Sequence, residues 1–200
     1  KAVSTVTKIY YEKEFTVNVV NEFTNGLMIL AETDEKAILD FWIPGKDEIV
    51  TDVYGKLNDG DVLGTHPKRV YFNKYRTDVT SEVLVMCQDG KGGKILDNIT
   101  LTKRRDYKDM FFGVVPDEVV PQSYYKSSMR EYLVDNGLVY DRATNSLTPD
   151  VTVKPNLVVQ GGTYEIADNA NFIDDEDMVG RMVLYDNQNT CFYSIINIAT

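Results

Sequence analysis

The sequence predicts a mainly β protein, a sandwich or a barrel, that carries one amphipathic helix; an α+β fold is the alternative. Runs rich in Val, Thr, Tyr and Phe recur through the first hundred residues, and clusters of Gly, Asn and Asp separate them. These residue types fit a pleated, half-buried surface, and such regular punctuation is typical of sandwiches and barrels. Only residues 122–135 combine helical spacing with a stop signal. We expect a β-rich domain at 1–115 and an acidic helix-plus-hairpin region at 116–200, unless both belong to one domain.

The first strands follow from alternating apolar residues. In "EFTVNVV", Phe15, Val17 and Val19 share one face while the residues between them point the other way. Asn25-Gly26 then lies between two apolar runs. This pair predicts a hairpin turn, because both residues accept positive φ.

The stretch "LMILAETDEKAILDFWIPG" fits two structures. As a hairpin, it has strands at 27–32 and 37–43 that flank a polar turn. As a helix, it has Thr33 as its cap and an apolar stripe of Ile38, Phe41 and Trp42. The strands on either side favour the hairpin.

The remaining elements follow from the same signals. Further strand candidates lie at residues 48–54, 69–75, 81–88 and 94–103. After a proline-containing connector, Tyr125, Met129 and either Tyr132 or Leu133 recur at helical spacing, and Asn136-Gly137 supplies a helix stop, which predicts a helix at 122–135. A turn at Gly161-Gly162 and a final hairpin, "RMVLYDNQNTCFYSIINI", complete the chain.

The net charge of the chain limits the classes of partner that we expect it to bind. The formal net charge is −10, and nucleic-acid binding needs clustered Lys and Arg, so we expect no nucleic-acid partner. Residues 1–110 hold 16 basic and 18 acidic side chains, whereas residues 111–200 hold 5 and 13, so the acidity is concentrated in the second part. No run approaches the roughly 20 apolar residues of a membrane span. The chain begins at Lys1, which is compatible with a signal peptide removed upstream.

No motif of a catalytic centre is present, and we expect no enzyme, no cofactor and no metal. His66 is the only histidine, and its position beside a proline predicts an exposed loop. Ser123 and Lys126 match the SxxK pattern of serine acyl-enzymes, but the supporting SDN and KTG elements are missing. We therefore interpret Ser123 as a helix N-terminal residue. Cys87 and Cys191 lie in apolar strand-like runs and are predicted to be buried thiols; a single disulfide is the alternative.

Three polar stretches have a structural and a functional interpretation. The glycines of "QDGKGGK" are too close together for a phosphate loop, so this stretch predicts a tight turn. "TKRRDYKDMFF" interleaves basic and aromatic side chains that could stack on bases, but a strand end with solvated charges is favoured. Asn98 begins a triplet that matches a glycosylation sequon.

Asp174, Asp175, Glu176 and Asp177 form the most acidic run. A calcium loop of the EF-hand type needs acids at alternating positions, and consecutive acids on an extended chain point in opposite directions. We interpret the run as a solvated loop; a calcium site or a pair of catalytic carboxylates are the alternatives.

The end of the chain carries most of the functional expectation. In residues 190–199, Phe192, Ile196 and Ile198 share one strand face, and Cys191, Tyr193 and Ile195 share the other. Two apolar faces predict either a central strand or burial against another subunit. With its short strands, long polar loops and many Tyr, Asn and Thr, the chain resembles phage and viral structural proteins in style. We expect a non-enzymatic, oligomeric component of a virion that binds other protein subunits; the alternatives are a secreted or cell-surface module that binds a ligand such as a carbohydrate, and a carboxylate-based hydrolase.

Overall fold

The computed structural model describes residues 2–3, 10–11, 23, 25–73, 81–111, 116–126, 130–143, 156–157, 163–168, 171–173 and 181–196. Within these ranges the protein is built from antiparallel β-strands, and the mainly β prediction is confirmed. One short helix, α1 (Val53–Leu57), and one 3-10 turn, Tyr107–Met110, are the helical elements of the described part.

The strands form small sheets in which sequence neighbours pair. The first pair is β1 (Ala2–Val3) with β2 (Tyr10–Tyr11). Sheet I contains β3 (Leu27–Thr33), β4 (Lys36–Ile43) and β5 (Glu48–Val50). Sheet II contains β6 (Pro67–Asn73), β7 (Glu82–Cys87), β8 (Gly93–Asp97) and β9 (Lys103–Asp106).

Sheets III and IV follow the same meander pattern. Sheet III contains β10 (Pro121–Lys126), β11 (Arg130–Asp135), β12 (Leu138–Ala143) and β13 (Asn156–Leu157). Sheet IV contains β14 (Asn171–Ile173), β15 (Arg181–Asp186) and β16 (Cys191–Ile196). Each sheet is therefore assembled from contacts that are local in the sequence.

Three clusters of buried apolar side chains join these sheets in succession. The first lies between sheets I and II and includes Leu39, Phe41, Val83, Val85 and Cys87. The second lies between sheets II and III and includes Leu84, Met86, Ile95, Tyr107, Phe111, Tyr124 and Leu133. The third lies between sheets III and IV and includes Tyr132, Val134, Val139, Ile166 and Leu184. The sheets thus form a stack, and the second cluster draws side chains from both sides of residue 115; the division into domains there stays a prediction.

Strands β7 and β11 show how the stack is built. Successive side chains of a strand point to opposite faces. Val83 and Val85 of β7 enter the first cluster, whereas Leu84 enters the second. Likewise Leu133 of β11 enters the second cluster and Val134 the third. An inner sheet is buried on both faces, so its strands are apolar at consecutive positions instead of alternating.

Two tight turns hold the hairpins in register. Asp34 and Glu35 both have positive φ between the paired residues Thr33 and Lys36, which confirms the hairpin predicted at 27–43. The predicted tight turn in "QDGKGGK" is confirmed as well, because it joins β7 to β8. There the Asp89 carboxylate accepts hydrogen bonds from the backbone of Lys91 and Gly92 at 2.9 and 3.0 Å.

The helix predicted at 122–135 is wrong, because these residues form strands β10 and β11 of an antiparallel hairpin. Tyr125 and Tyr132 are paired across it, with ring centroids 6.4 Å apart and nearly parallel rings. The helical spacing is a coincidence, because Tyr125 lies in β10 whereas Tyr132 and Leu133 lie in β11. Asn136 and Gly137, interpreted as a helix stop, both have positive φ and form the two-residue turn between β11 and β12.

Two strand predictions and one turn prediction need correction. Residues 48–54 hold the short strand β5 and then the start of α1, where Asp52 accepts a hydrogen bond from Gly55 N at 3.1 Å as the N-cap. Residues 94–103 hold strand β8, a turn and the start of β9. Gly26 does not have positive φ; an added Cβ there would lie 2.3 Å from the ring of Phe41, so close packing explains this glycine.

Three further predictions agree with the structure, and three others concern residues outside the described ranges. The strands predicted at 69–75 and 81–88 correspond to β6 and β7, and the final hairpin corresponds to β15 and β16. The strand at 14–20, the turn at Gly161-Gly162 and residues 197–200 lie outside the described residues.

Candidate functional site

The outer face of sheet I carries apolar side chains with no layer of described residues over it. Register places Leu27, Trp42 and Ile49 in one row across the three strands. Leu27 is 56% exposed, Ile49 is 54% exposed and Trp42 is half-buried. Ile29 and Ile38 lie on the same face. We call these five residues the first end face.

The outer face of sheet IV is the opposite end of the stack. Tyr185 and Phe192 are cross-strand partners, and their ring centroids are 5.0 Å apart. Phe192 is 73% exposed, more than any other large apolar side chain of the described residues. Val183 and Ser194 are the neighbouring pair on this face. We call these four residues the second end face.

The expectation that both faces of the final strand are buried is wrong within this chain for Phe192 and Tyr193. Tyr193 lies on the face that turns toward Leu184 and the third cluster, yet it is 44% exposed. Among the described residues, β16 pairs with β15 alone and is therefore an edge strand. Of the two environments that the sequence allowed, the central strand is excluded in this part of the chain.

A polar cleft of about 420 Å³ is the second candidate site. It lies where the turns and strand ends of sheets II, III and IV converge. Its lining comprises Gln88, Val120, Gln122, Asn136, Gly137, Tyr164, Glu165, Asp168 and Gln188. Side-chain amides, one phenol and two carboxylates therefore outnumber the apolar groups.

Hydrogen bonds between its walls hold the cleft in shape. The Gln122 side chain accepts from Gly137 N at 2.6 Å and donates to Ile166 O at 3.4 Å. Ile166 N donates to Gly137 O at 2.9 Å, and the Gln88 amide donates to Pro121 O at 3.0 Å. The lining is therefore fixed before any ligand arrives.

The charge of the cleft is negative on balance. Asp168 forms an ion pair with Lys68 through one carboxylate oxygen, while its other oxygen is buried without a hydrogen-bond partner. Glu165 is exposed, and its backbone N–H donates to the Asp186 carboxylate at 3.0 Å. With two carboxylates against one ammonium, the cleft suits a neutral or cationic ligand better than an anion.

A buried carboxyl lies behind the cleft wall. Asp135 is 1% exposed and accepts a hydrogen bond from Val120 N at 3.0 Å. Burial raises the pKa of Asp135 to about 6, although the Val120 N–H, Tyr107 and Lys108 oppose that rise. Burial also raises the pKa of Tyr107 well above its usual value, and the negative charge of Asp135 adds to the effect. Neither group faces the cleft as a lining residue, so we assign the pair to the core.

The residues considered for chemistry from the sequence do not come together. His66 is exposed in a loop, as predicted. Ser123 lies in β10, not at a helix N-terminus, and its hydroxyl is buried. Cys87 and Cys191 are free thiols, so the disulfide alternative is wrong. Cys87 is buried, and burial raises its pKa to about 12, while Cys191 is only half-buried.

The basic run is paired within its own sheet. Lys103 lies 3.0 Å from the Asp106 carboxylate, and Arg105 lies 2.8 Å from the Glu82 carboxylate. Arg104 also forms an ion pair with Asp97. These three cations are therefore paired with carboxylates of the same sheet.

The other two polar stretches have different outcomes. Asn98 lies in the turn between β8 and β9, with its side-chain oxygen buried. The acidic run Asp174, Asp175, Glu176 and Asp177 lies outside the described residues. Its interpretation as a solvated loop, with calcium and catalysis as alternatives, stays a prediction.

Within the described ranges, no three His, Cys, Asp or Glu side chains are grouped so as to hold a metal ion. The same ranges contain no helix with the length and apolar character needed to cross a membrane. The chain matches no known protein family, and no characterised protein matches its sequence.

Sequence reasoning missed the first end face and the polar cleft. The hairpin prediction did place Leu27 and Trp42 on paired strands, so their adjacency was within reach of the sequence. This face is uncovered because the other side of sheet I packs against sheet II. No local sequence pattern indicates which of the two sides does so. The cleft joins residues from 88 to 188, and only the packing of three sheets brings them together.

Proposed function

We propose that this protein is a non-enzymatic structural component of a larger assembly and that it binds neighbouring protein subunits through its two end faces. The single observation that carries the proposal is the position of the exposed apolar side chains. Leu27 and Ile49 lie at one end of the stack, and Phe192 lies at the other. A stack of sheets stays monomeric in water only if its two outer faces are polar. The terminal repeats of solenoid proteins have a polar outer face for the same reason.

The size of the outer face of sheet I supports a docking role. Strand β4 has 8 residues. It extends about 26 Å, and three strands are about 14 Å wide, which gives a sheet face of roughly 350 Å². Apolar patches of about 300–600 Å² are the largest on typical monomers and are often functional. This face therefore has room for an apolar patch of that size.

The chemistry of the first end face favours a protein over a sugar as its partner. Trp42 could stack on a sugar ring, but its cross-strand neighbours Leu27 and Ile49 offer no hydrogen bonds. Asp40, the nearest polar side chain along β4 on this face, already accepts a hydrogen bond from Asp52 N at 2.8 Å. Ligand sites for small polar molecules need convergent polar groups, whereas the cores of protein interfaces are apolar and rich in aromatics.

A virion, as a capsid, neck or tail component, is the setting that we propose for this assembly. The support is the style of the chain, in which small sheets of short strands are joined by polar segments. Other protein subunits are the partners in this setting.

The experiment that tests the proposal follows the chain in its native surroundings. An extract of the source would be fractionated by sedimentation, and the chain would be located by native mass spectrometry. We expect it in a particle of defined stoichiometry, many times heavier than one 200-residue chain. Ile49→Lys and Phe192→Lys should each reduce its incorporation, whereas Phe72→Lys, which alters an exposed side chain of β6 outside both end faces, should not. A parent chain that sediments alone would contradict the proposal.

A ligand-binding module is the second candidate function, and the polar cleft is the observation that favours it. A volume of about 420 Å³ holds a mono- or disaccharide, because ligand pockets range over about 300–1,000 Å³. Amides, carboxylates and a tyrosine are the groups that hydrogen-bond hydroxyls. Titration calorimetry with neutral oligosaccharides would test it, with Glu165→Gln as the cleft variant and Glu48→Gln as the control. Binding that Glu165→Gln weakens and Glu48→Gln leaves unchanged would establish a ligand site in the polar cleft. If no oligosaccharide produces a heat of binding, this candidate function is excluded.

A further inference from the structure

We propose that the polar cleft binds a small amine that also carries hydroxyl groups, such as an amino sugar, and that the Glu165 carboxylate contacts its ammonium group. This inference rests on the second candidate function, a ligand-binding module, and names the class of ligand. Three properties of the cleft carry it: the hydrogen-bonding groups that remain free, the charges around the cleft, and the scarcity of apolar side chains in its lining.

Some polar groups of the lining are already used within the protein. Both the oxygen and the nitrogen of the Gln122 amide form hydrogen bonds with the backbone. The Gln88 amide nitrogen donates to a backbone carbonyl at 3.0 Å, which leaves its oxygen for a ligand. The Tyr164 hydroxyl accepts from Val139 N at 3.3 Å and retains its proton as a donor.

The other side chains of the lining add more acceptors than donors. Within the described part of the chain, the side chains of Asn136, Glu165 and Gln188 form no hydrogen bond, and all three residues are exposed. Each amide supplies one oxygen and one nitrogen, whereas the carboxylate supplies two oxygens and no donor. A hydroxyl both donates and accepts, but an ammonium has three donors and no acceptor. The excess of acceptors therefore suits a ligand that combines an ammonium with hydroxyls.

The charges around the cleft favour a cation. Asp168 forms an ion pair with Lys68, and its other oxygen has no hydrogen-bond partner among the described residues. Asp186 is buried beside the cleft and accepts a hydrogen bond from Glu165 N at 3.0 Å. The Arg69 guanidinium donates to the backbone of β10 at 3.1 Å and does not line the cleft. Even with Arg69 counted, three carboxylates exceed two cations, and only a positively charged ligand gains from that excess.

The position of Glu165 is fixed by its neighbours. Its backbone N–H is held by Asp186, and its carbonyl oxygen accepts from Asn187 N at 2.7 Å. A Cβ added to Gly137 would lie 3.0 Å from Glu165 Cγ, so the side chain of Glu165 packs directly over this glycine. A carboxylate whose stem is already held loses less conformational freedom when it pairs with a ligand.

The lining distinguishes a hydroxylated amine from the lysine side chain of a partner protein. A lysine side chain has a stem of four carbons, whose burial is favourable only against apolar walls. Val120 is the one aliphatic side chain among the described residues that line the cleft. The amides of Asn136 and Gln188 are instead matched to hydroxyls.

Titration calorimetry of the full chain with glucosamine and glucose tests the inference, because in glucosamine an ammonium replaces one hydroxyl of glucose. At neutral pH and low ionic strength, glucosamine should bind at least about tenfold more tightly than glucose, and added salt should reduce this difference. Glu165→Gln keeps the size of the side chain and removes its charge, so it should abolish the preference. Glu48→Gln, which changes an exposed carboxylate of β5, should leave the preference unchanged.

A second variant separates recognition of the hydroxyls from recognition of the charge. Asn136 has a positive φ of 47, which glycine also adopts, so Asn136→Gly removes the amide without straining the turn. It should weaken the binding of both sugars by a similar factor and preserve the preference for glucosamine. Its unfolding midpoint should stay close to that of the parent.

Three outcomes would overturn the inference, with different consequences. Equal affinities for glucosamine and glucose would indicate a site for neutral sugars and leave the second candidate function standing. Tighter binding of an acetylated lysine amide than of glucosamine would show that the cleft receives a basic side chain of a protein partner. If neither sugar produces a heat of binding, the cleft binds no amino sugar, and the titrations with neutral oligosaccharides decide the second candidate function separately.

Discussion

Strands β7 and β16 have similar lengths and similar apolar content but opposite environments. All six side chains of β7 are buried, and the five apolar ones enter two different clusters. In β16, Phe192 is 73% exposed and Tyr193 is 44% exposed. Apolar residues on both faces therefore do not fix where a strand lies. In the middle of this stack they are satisfied by the chain's own sheets, and at its ends they remain available to a partner.

A charge placed in each environment should produce the largest contrast. Val85→Asp puts a carboxylate into the first cluster, where Val85 is fully buried, and should cost more than about 4 kcal/mol of unfolding free energy because the charge has no partner. Ile49→Asp on the first end face should cost less than about 0.5 kcal/mol. Urea unfolding measures both. Comparable losses would show that the first end face is packed within the chain.

The two glycines Gly93 and Gly45 provide the next contrast. Both have positive φ, +94 and +83, but a Cβ on Gly93 would lie 2.2 Å from Val85 O, whereas one on Gly45 would have no atom within 4 Å. Gly45→Ala should cost about 1–2 kcal/mol from backbone strain alone. Gly93→Ala should cost at least about 3 kcal/mol, because the β7–β8 pairing must also shift. Thermal unfolding would compare them, and equal losses would contradict the tight pairing at the centre of sheet II.

The buried Asp135 predicts an unusual dependence of stability on pH. Its pKa is raised from 3.8 to about 6, so between these values the folded state binds more protons than the unfolded state. This contribution to stability is complete below pH 4 and is lost as pH rises through 6; at about 1.4 kcal/mol per pKa unit it amounts to about 3 kcal/mol.

The pKa shift of Asp97 has the opposite sign to that of Asp135, so Asp97 serves as the control. Burial alone would raise its pKa, but hydrogen bonds from Thr100, Arg104 and Ile99 lower it to about 2, so its contribution is lost as pH falls below about 4. Asp135→Asn should flatten the fall in stability between pH 4 and 7, whereas Asp97→Asn should lower stability above about pH 4 and flatten the acid limb below it. Unfolding midpoints measured at pH 2 to 8 distinguish the two. If Asp135→Asn leaves the dependence of the unfolding midpoint on pH unchanged, a group other than Asp135 causes the fall in stability.

Substitutions on the second end face should have the smallest effect on stability. Phe192→Ser removes a ring that is 73% exposed, so the unfolding free energy should change by less than about 0.5 kcal/mol. Phe111→Ser, which removes a ring that is 1% exposed, is the matched control and should cost about 3–5 kcal/mol. Urea unfolding of dilute protein is the measurement. A large loss for Phe192→Ser would mean that this ring supports the fold.

The sequence predicted local pairing well, because this fold is made of local pairs. Tight turns such as that of Asp34 and Glu35 connect strands that are neighbours in the chain, and residue types report both turn and strands. The prediction failed at residues 122–135 for a physical reason. The apolar residues that matched helical spacing come from two different strands, Tyr125 from β10 and Leu133 from β11, and a periodicity test does not see where one strand ends and the next begins.

The sites were harder to predict than the fold. The exposure of Leu27 and the burial of Val85 depend on which side of each sheet meets its neighbour, and both strands are rich in apolar residues. In the polar cleft, Gln88 and Gln188 are one hundred positions apart, and neither belongs to a motif. What the sequence did indicate was an apolar final strand, and Phe192 on that strand is 73% exposed.

Hydroxyl-radical footprinting of the free and assembled protein would test the central claim most directly. Phe192 and Phe72 are 73% and 55% exposed, so both should be oxidised in the dilute chain, whereas the buried Tyr107 should not. In the assembled particle the end faces are covered, so oxidation of Phe192 and Trp42 should fall severalfold while Phe72 stays reactive. If Phe192 and Trp42 react equally in both states while Phe72 becomes protected, subunits meet through another surface and the account is wrong.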